Sequence, residues 1–255
     1  MNGWMYGMYA GTFMGGVLLG MAGLSGCSGK VETNPAAVAS VKPAMEAKTD
    51  ARKFISTEMM YNHALGLFEE GSYDEAEKEF EEVCEKWPKF SKPYKHLART
   101  QIKQGKLEEA LENALTASEL NPKDGTIDNV IGMALMELDD FDSAEASFRT
   151  AISKSPTFSW AYNNLGYLLI RKGDFVSAKD ILLEGSKVDN APAVLFNNLG
   201  IVLEKTGDTA GAMEAYAKAV EKDPGSIKAT GNLSRLETDT PAGKNGEIAQ
   251  VMESR

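Results

Sequence analysis

Between Thr57 and Pro224 the apolar and polar positions of this chain repeat with a fixed step of 34 residues. Blocks that begin at Thr57, Ser91, Gly125, Ser159 and Ala193 align without one insertion. The eighth position is Ala64, Ala98, Gly132, Gly166 and Gly200; the twentieth is Ala76, Ala110, Ala144, Ala178 and Ala212. The twenty-seventh is Val83, Ala117, Ala151, Gly185 and Ala219. Within a block the apolar spacing is that of two amphipathic helices, A and B. Small residues at positions eight and twenty let the two backbones approach. Large apolar residues at positions seven, eleven and twenty-four fill the space beside them; Leu165, Leu169 and Leu182 are one such set. Gly71, Gly105, Gly173 and Gly207 stand where a left-handed residue ends helix A. Ser72, Asp140, Asp174 and Asp208 follow as N-caps of helix B. Pro88, Pro122, Pro156 and Pro224 stop helix B. A sixth, partial block, Ile227–Leu236, repeats helix A alone and is expected to cap the stack with a polar outer face. The pattern predicts an all-α chain of five helical hairpins and a capping helix over residues 51–237, and a loose tail over 238–255.

Asn-Leu-Gly in helix A, the alanine of helix B and the terminal proline are all in register. With them the chain resembles the tetratricopeptide repeat family, as repeats 57–90, 91–124, 125–158, 159–192 and 193–226 with a partial repeat 227–237. The resemblance implies a right-handed superhelical solenoid, with helix A lining a concave groove and helix B on the convex side. It also implies that positions two, five, six, nine, twelve and thirteen of helix A face the groove, where protein or peptide segments bind.

On that reading the fifth position offers Tyr61, Lys95, Asn129, Asn163 and Asn197, and the sixth offers Asn62, His96, Val130, Asn164, Asn198 and Asn232. A carboxamide donates and accepts at once, so a row of them matches the backbone of an extended peptide. The other reading is a row of solvated amides that simply precede Leu-Gly in such repeats. In block two, Lys92, Lys95, Arg99 and Lys103 form a basic stripe with His96 beside it. The stripe is either a docking place for an acidic segment or a solvated face. Met133, Met136, Trp160, Tyr167 and Ile170 bring apolar side chains to the same face, either as a dock for a helix or peptide or, for some of them, as packing between neighbouring helices. Helix B of block one, with Asp74, Glu75, Glu77, Glu79, Glu81, Glu82 and Glu85, reads as a solvated convex face. His63 takes a core position, and Cys84 reads as a buried, inert thiol.

The first charged residue is Lys30, and an apolar run, Phe13–Leu24, precedes it. The stretch resembles a secretory signal over residues 1–26. Leu24-Ser-Gly-Cys27 resembles a bacterial lipobox, which implies a lipid on Cys27 and a membrane anchor. Ser28 after the cysteine is not the aspartate of inner-membrane retention, which points to the outer membrane. Residues 27–50 are rich in Ala, Val, Pro and Lys and read as a tether. Met1–Tyr9 carries no Lys or Arg. This leaves a second reading, an uncleaved anchor with the bulk of the chain in the cytoplasm.

The formal net charge of −10 argues against nonspecific nucleic-acid binding. Two cysteines and two histidines offer neither a disulfide framework nor metal-ligand spacing. No triad, phosphate loop or paired-carboxylate pocket is evident, so neither catalysis, a cofactor nor a small-molecule substrate is expected. The reading is a lipid-anchored scaffold for protein partners in the cell envelope, similar in architecture to the lipoproteins of pilus assembly. An adaptor for envelope proteases or cell-wall enzymes, and a cytoplasmic anchored assembly factor, are the alternatives.

Overall fold

The computed structural model describes residues 56–239. The signal, Cys27, the tether and the tail beyond 239 lie outside the described residues. All regular structure among the described residues is helical. Helix α1 runs over 56–70. It is followed by α2 (Tyr73–Lys86), α3 (Ser91–Gln104), α4 (Leu107–Leu120), α5 (Gly125–Glu137) and α6 (Phe141–Lys154). Then come α7 (Ser159–Lys172), α8 (Phe175–Ser186), α9 (Ala193–Lys205), α10 (Thr209–Lys222) and α11 (Ile227–Asp239). The odd helices from α3 onward start at 91, 125, 159, 193 and 227, which is the 34-residue step of the sequence. Among the described residues no helix is long and apolar enough to cross a membrane.

Consecutive helices pack as antiparallel neighbours. The backbone of each odd helix from α3 onward also comes close to that of the next odd helix, whereas no two even helices from α2 to α10 approach so closely. The odd helices therefore sit side by side on the inner, concave side of a solenoid, with the even helices splayed outside them.

Close approach within a hairpin comes from the small residues at positions eight and twenty. Ala64, Ala76, Ala98, Ala110, Ala144, Ala178 and Ala212 are fully buried. At Gly132, Gly166 and Gly200 an added Cβ would lie 2.6 Å from Phe148, 2.5 Å from Leu182 and 2.5 Å from Tyr216. The glycine of one helix is thus the seat of the bulky residue at position twenty-four of its partner. Helix A ends as expected where Gly71, Gly105, Gly173 and Gly207 take φ between 78° and 86°. In the third block Asp139 occupies that left-handed position at φ 61°.

Asp140, Asp174 and Asp208 cap the even helices, accepting from the backbone N–H of Ser143, Ser177 and Gly211 at 3.2, 3.1 and 2.9 Å. Ser72 stands at the N-cap of α2 without a side-chain cap bond. Asp124, which the capping pattern did not single out, caps α5 through the N–H of Thr126 at 3.0 Å.

One core expectation is corrected, and one open placement is resolved. His63 is exposed and paired with Glu79 at 2.8 Å. Its equivalent Leu97 clusters with Phe80 and Cys84 of the block before it, and among the described residues no block precedes His63. Met136 turns away from the groove into the core, 7% exposed. Cys84 is buried as expected, and burial followed by the Glu81 charge pushes its thiol up to about 12.

Candidate protein-binding groove

The concave face is built by the fifth and sixth positions of the odd helices, and from α5 to α11 asparagines at these positions bond from one odd helix to the next. Asn164 donates its amide N–H to Asn129 Oδ1 at 2.9 Å. Asn198 donates to Asn163 Oδ1 at 3.0 Å, and Asn232 donates to Asn197 Oδ1 at 3.0 Å. Each rung runs from the fifth position of one repeat to the sixth of the next, 35 residues on. Asn163 also donates to Asn164 Oδ1 at 3.1 Å, which ties two rungs together. Asn129, Asn163, Asn197 and Asn198 are 5–7% exposed, and Asn164 and Asn232 are half-buried.

The asparagines are therefore first a set of staples between neighbouring helices. Removing Asn164 or Asn198 strands a buried carbonyl oxygen on its neighbour, which is costly. Such variants perturb the scaffold as well as the groove. The staples do not use every amide atom. Among the described residues, Gln104 Oε1 is the one buried side-chain polar atom without a hydrogen bond. The atoms that bond to nothing, Asn197 Nδ2, Asn198 Oδ1 and Asn232 Oδ1, are thus not sealed from solvent.

In the N-terminal half the same slot is filled differently. Between the first two repeats it holds Tyr61 and His96, edge to face at 5.8 Å, with His96 also stacked on Phe80 at 5.9 Å. Burial, then the charges of Arg99, Lys95 and Lys92, pull the His96 pKa down to about 3, so the ring is neutral. Asn62 lies exposed on α1. Between the second and third repeats the sixth position is Val130, which is buried. Lys95 turns instead to the start of α5, donating to Thr126 Oγ1 at 2.8 Å and to Asp124 at 3.3 Å. Desolvation opposes ionisation of Asp124, but bonds from Thr126 and the Lys95 charge outweigh it and hold its pKa low.

Arg99 lies over the Phe68 ring at 5.0 Å and points Nη1 at His96 Nδ1, 3.5 Å away. Lys92 and Lys103 remain exposed. The basic stripe is therefore divided. Lys95 belongs to the scaffold, and Arg99, Lys92 and Lys103 face the groove.

Trp160, Tyr167 and Val194 supply the open apolar surface, 47%, 44% and 40% exposed. Trp160 and Val194 are the second-position residues of α7 and α9, and Tyr167 is the ninth of α7. Met133 and Ile170 pack against the core instead.

Helix α2 also departs from the expected solvated face. Glu77 is 7% exposed and accepts from Lys106 at 2.6 Å, Gln104 at 3.0 Å and Gln101 at 3.4 Å. The signal for it was Gln101 at the eleventh position, where the other blocks carry leucine. Among the described residues no cluster of His, Cys, Asp or Glu is placed to hold a metal ion.

Tetratricopeptide repeat family models match residues 67–131, 135–195 and 198–226, together more than half of the chain. The fold is similar to that of a thermophilic TPR protein of Thermus thermophilus, with TM-score 0.62, 21% identity, and coverage of 71% of this chain and 98% of that one. It is similar to that of PilF of Pseudomonas aeruginosa, with TM-score 0.64, 16% identity, and coverage of 73% and 85%. It is also similar to that of MamA, from residue 41 to its end, of Desulfovibrio magneticus, with TM-score 0.52, 16% identity, and coverage of 67% and 97%. At these identities the likeness is one of fold. No curated protein matches the chain.

Proposed function

This chain belongs to the tetratricopeptide repeat family, and from that premise we propose that it is a lipid-anchored scaffold that binds a protein partner in the bacterial cell envelope. The observation that carries the binding site is the C-terminal half of the concave face. There the open amide atoms of Asn197, Asn198 and Asn232 lie on the helix face that also carries exposed Trp160, Tyr167 and Val194. Amides suit a partner's backbone, and the aromatic rings suit its apolar side chains. The anchor rests on Leu24-Ser-Gly-Cys27 after an uncharged apolar run. Ser28 favours the outer membrane, with the solenoid in the periplasm at the end of its tether. The narrower proposal is service to pilus or secretion machinery, supported by regular repeats, tether and lipobox together.

Two measurements test these readings. A photo-reactive residue at Tyr167 is expected to cross-link a partner in cells, while one at Val176, 70% exposed on α8, is not. Equal capture from both positions, or none from Tyr167 in an expressed protein, removes the groove. For the anchor, radiolabelled fatty acid is expected to enter the wild type and not Cys27→Ala; an unlabelled wild type removes it.

A further inference from the structure

Four arginines fall within the described residues. Arg149 holds Glu145 at 2.8 Å, Arg171 holds Asp139 at 3.4 Å and Arg235 holds Glu204 at 2.7 Å. Their side chains are 50%, 37% and 45% exposed. Arg99 is more enclosed than any of these, yet it makes no ion pair among the described residues. A guanidinium that has lost part of its water without gaining a counter-ion is held at a cost, and an arriving carboxylate relieves it.

The surroundings fix the group without satisfying it. Phe68 supports one face of the fork at 5.0 Å. The neutral imidazole of His96 accepts from a single N–H, at 3.5 Å. The remaining N–H groups of the fork are free to donate. Tyr61, on the neighbouring α1, meets the His96 ring at 5.8 Å, the same ring that Arg99 Nη1 approaches. Its hydroxyl makes no hydrogen bond and is not sealed in the core. Lys92 and Lys103 lie exposed on the same face of α3, and α3 carries no acidic residue.

We infer that Arg99, with Lys92 and Lys103 on its flanks, is a carboxylate subsite that takes an Asp or Glu side chain of an acidic segment in the partner protein. This deepens the groove reading and rests on it. The subsite adds a second point of attachment, remote from the amides of the C-terminal half. The partner segment so described is extended, with an acidic residue at one end and apolar residues toward the other.

The test uses purified full-length protein and a short fluorescein-labelled peptide of alternating Glu and Gly, read by anisotropy. A Gln-Gly peptide is the neutral control. The acidic peptide is expected to bind more tightly than the neutral one, and less tightly as salt is raised. Arg99→Gln is expected to weaken it about tenfold, the loss of one charged hydrogen-bonding partner. Arg171→Gln, whose arginine already holds Asp139, is expected to leave it unchanged. Equal affinity for the two peptides, or for wild type and a folded Arg99→Gln, overturns the subsite. If Arg99→Gln loses helical circular dichroism, Lys92→Gln with Lys103→Gln decides, since both side chains are exposed. The pair is expected to weaken binding about threefold, and unchanged binding overturns the proposal. Displacement by inorganic phosphate but not by acetate also overturns it. A cross-linked partner at Tyr167 without acidic-peptide binding removes this subsite and leaves the groove. The reverse removes the C-terminal groove and leaves the subsite.

Discussion

His96 occupies an asparagine slot and carries a histidine's consequence. Its folded pKa is pulled down to about 3 by burial and by the charges of Arg99, Lys95 and Lys92, against about 6.5 in an unfolded chain. Above pH 6.5 neither state binds the proton, and His96 adds no pH dependence. Below that value the unfolded chain takes up a proton that the folded chain refuses, so stability falls as pH falls toward 3. The slope is roughly 1 kcal/mol per pH unit, allowing for partial exposure of the ring. The carboxylates with lowered pKa, Glu77, Asp124, Glu145, Asp174, Glu204 and Glu221, act in the same direction but below about pH 4.5. Urea melting between pH 7 and pH 5 therefore isolates the histidine. The wild type is expected to lose stability over that interval and His96→Gln to lose less; equal losses would refute the account. The sequence showed that His96 interrupts the asparagine row and keeps company with lysines. It did not show which way the ring turns. The direction comes from Tyr61, one repeat back, which meets His96 where Asn129 meets Asn164. The row seen in the sequence is bonded from each helix to the next.

Within one hairpin, a glycine and its opposite side chain form a single unit. Gly200 seats Tyr216, whose hydroxyl donates to Glu204 at 3.1 Å and so resists a swing of the ring. Gly200→Ala brings a methyl 2.5 Å from that ring. The gain in helix propensity is about 1 kcal/mol, and overpacking costs about 1–3 kcal/mol. With the ring held, the clash prevails and the variant is expected to be less stable. Gly66 makes the contrast, since an added Cβ there meets nothing within 4 Å. Gly66→Ala is expected to be more stable by about 0.5–1 kcal/mol. Thermal melting of the two variants gives the signs, and a shift of both in one direction would break the argument. The small residues at positions eight and twenty were legible because they recur in every block. Their partners were less so. Position twenty-four runs Phe80, Ala114, Phe148, Leu182 and Tyr216, and only the packed helices show that Ala98 can face Ala114 while Gly132 must face Phe148. The N-caps divide in the same way. An aspartate before a helix is a signal in the sequence, while the unused hydroxyl of Ser72 is visible only in the structure.

Across the whole solenoid the packing is uneven, although the period is perfect. From Met136 to Leu236 one continuous core gathers Phe148, Leu165, Leu168, Leu169, Leu182, Leu195, Val202 and Tyr216. The second repeat contributes mainly the alanines Ala98, Ala110, Ala114 and Ala117, and the first gathers its side chains around Phe80. Their junction is polar, since Thr100, Gln101 and Glu77 are buried there and Gln104 Oε1 lacks a hydrogen bond. A fixed period predicts equal repeats, because alignment counts positions and not buried area. Stability in a solenoid is a sum of repeat and neighbour terms, and buried apolar area sets those terms. Local opening should therefore begin in α1–α4 at a lower free energy than in α7–α10. Native-state hydrogen exchange is expected to show amides of α1–α4 exchanging through a sub-global opening while those of α7–α10 exchange only on global unfolding. One common opening energy across α1–α10 would contradict the unequal cores. The same division bears on binding. The amides of Asn197, Asn198 and Asn232 are held in a rigid frame, so they select a partner's backbone geometry. Arg99 stands in the part that opens first, and an acidic segment seated on it would close the repeats that the core leaves loose. Exchange from α1–α4 should then slow when the Glu-Gly peptide is bound, with α7–α10 unaffected.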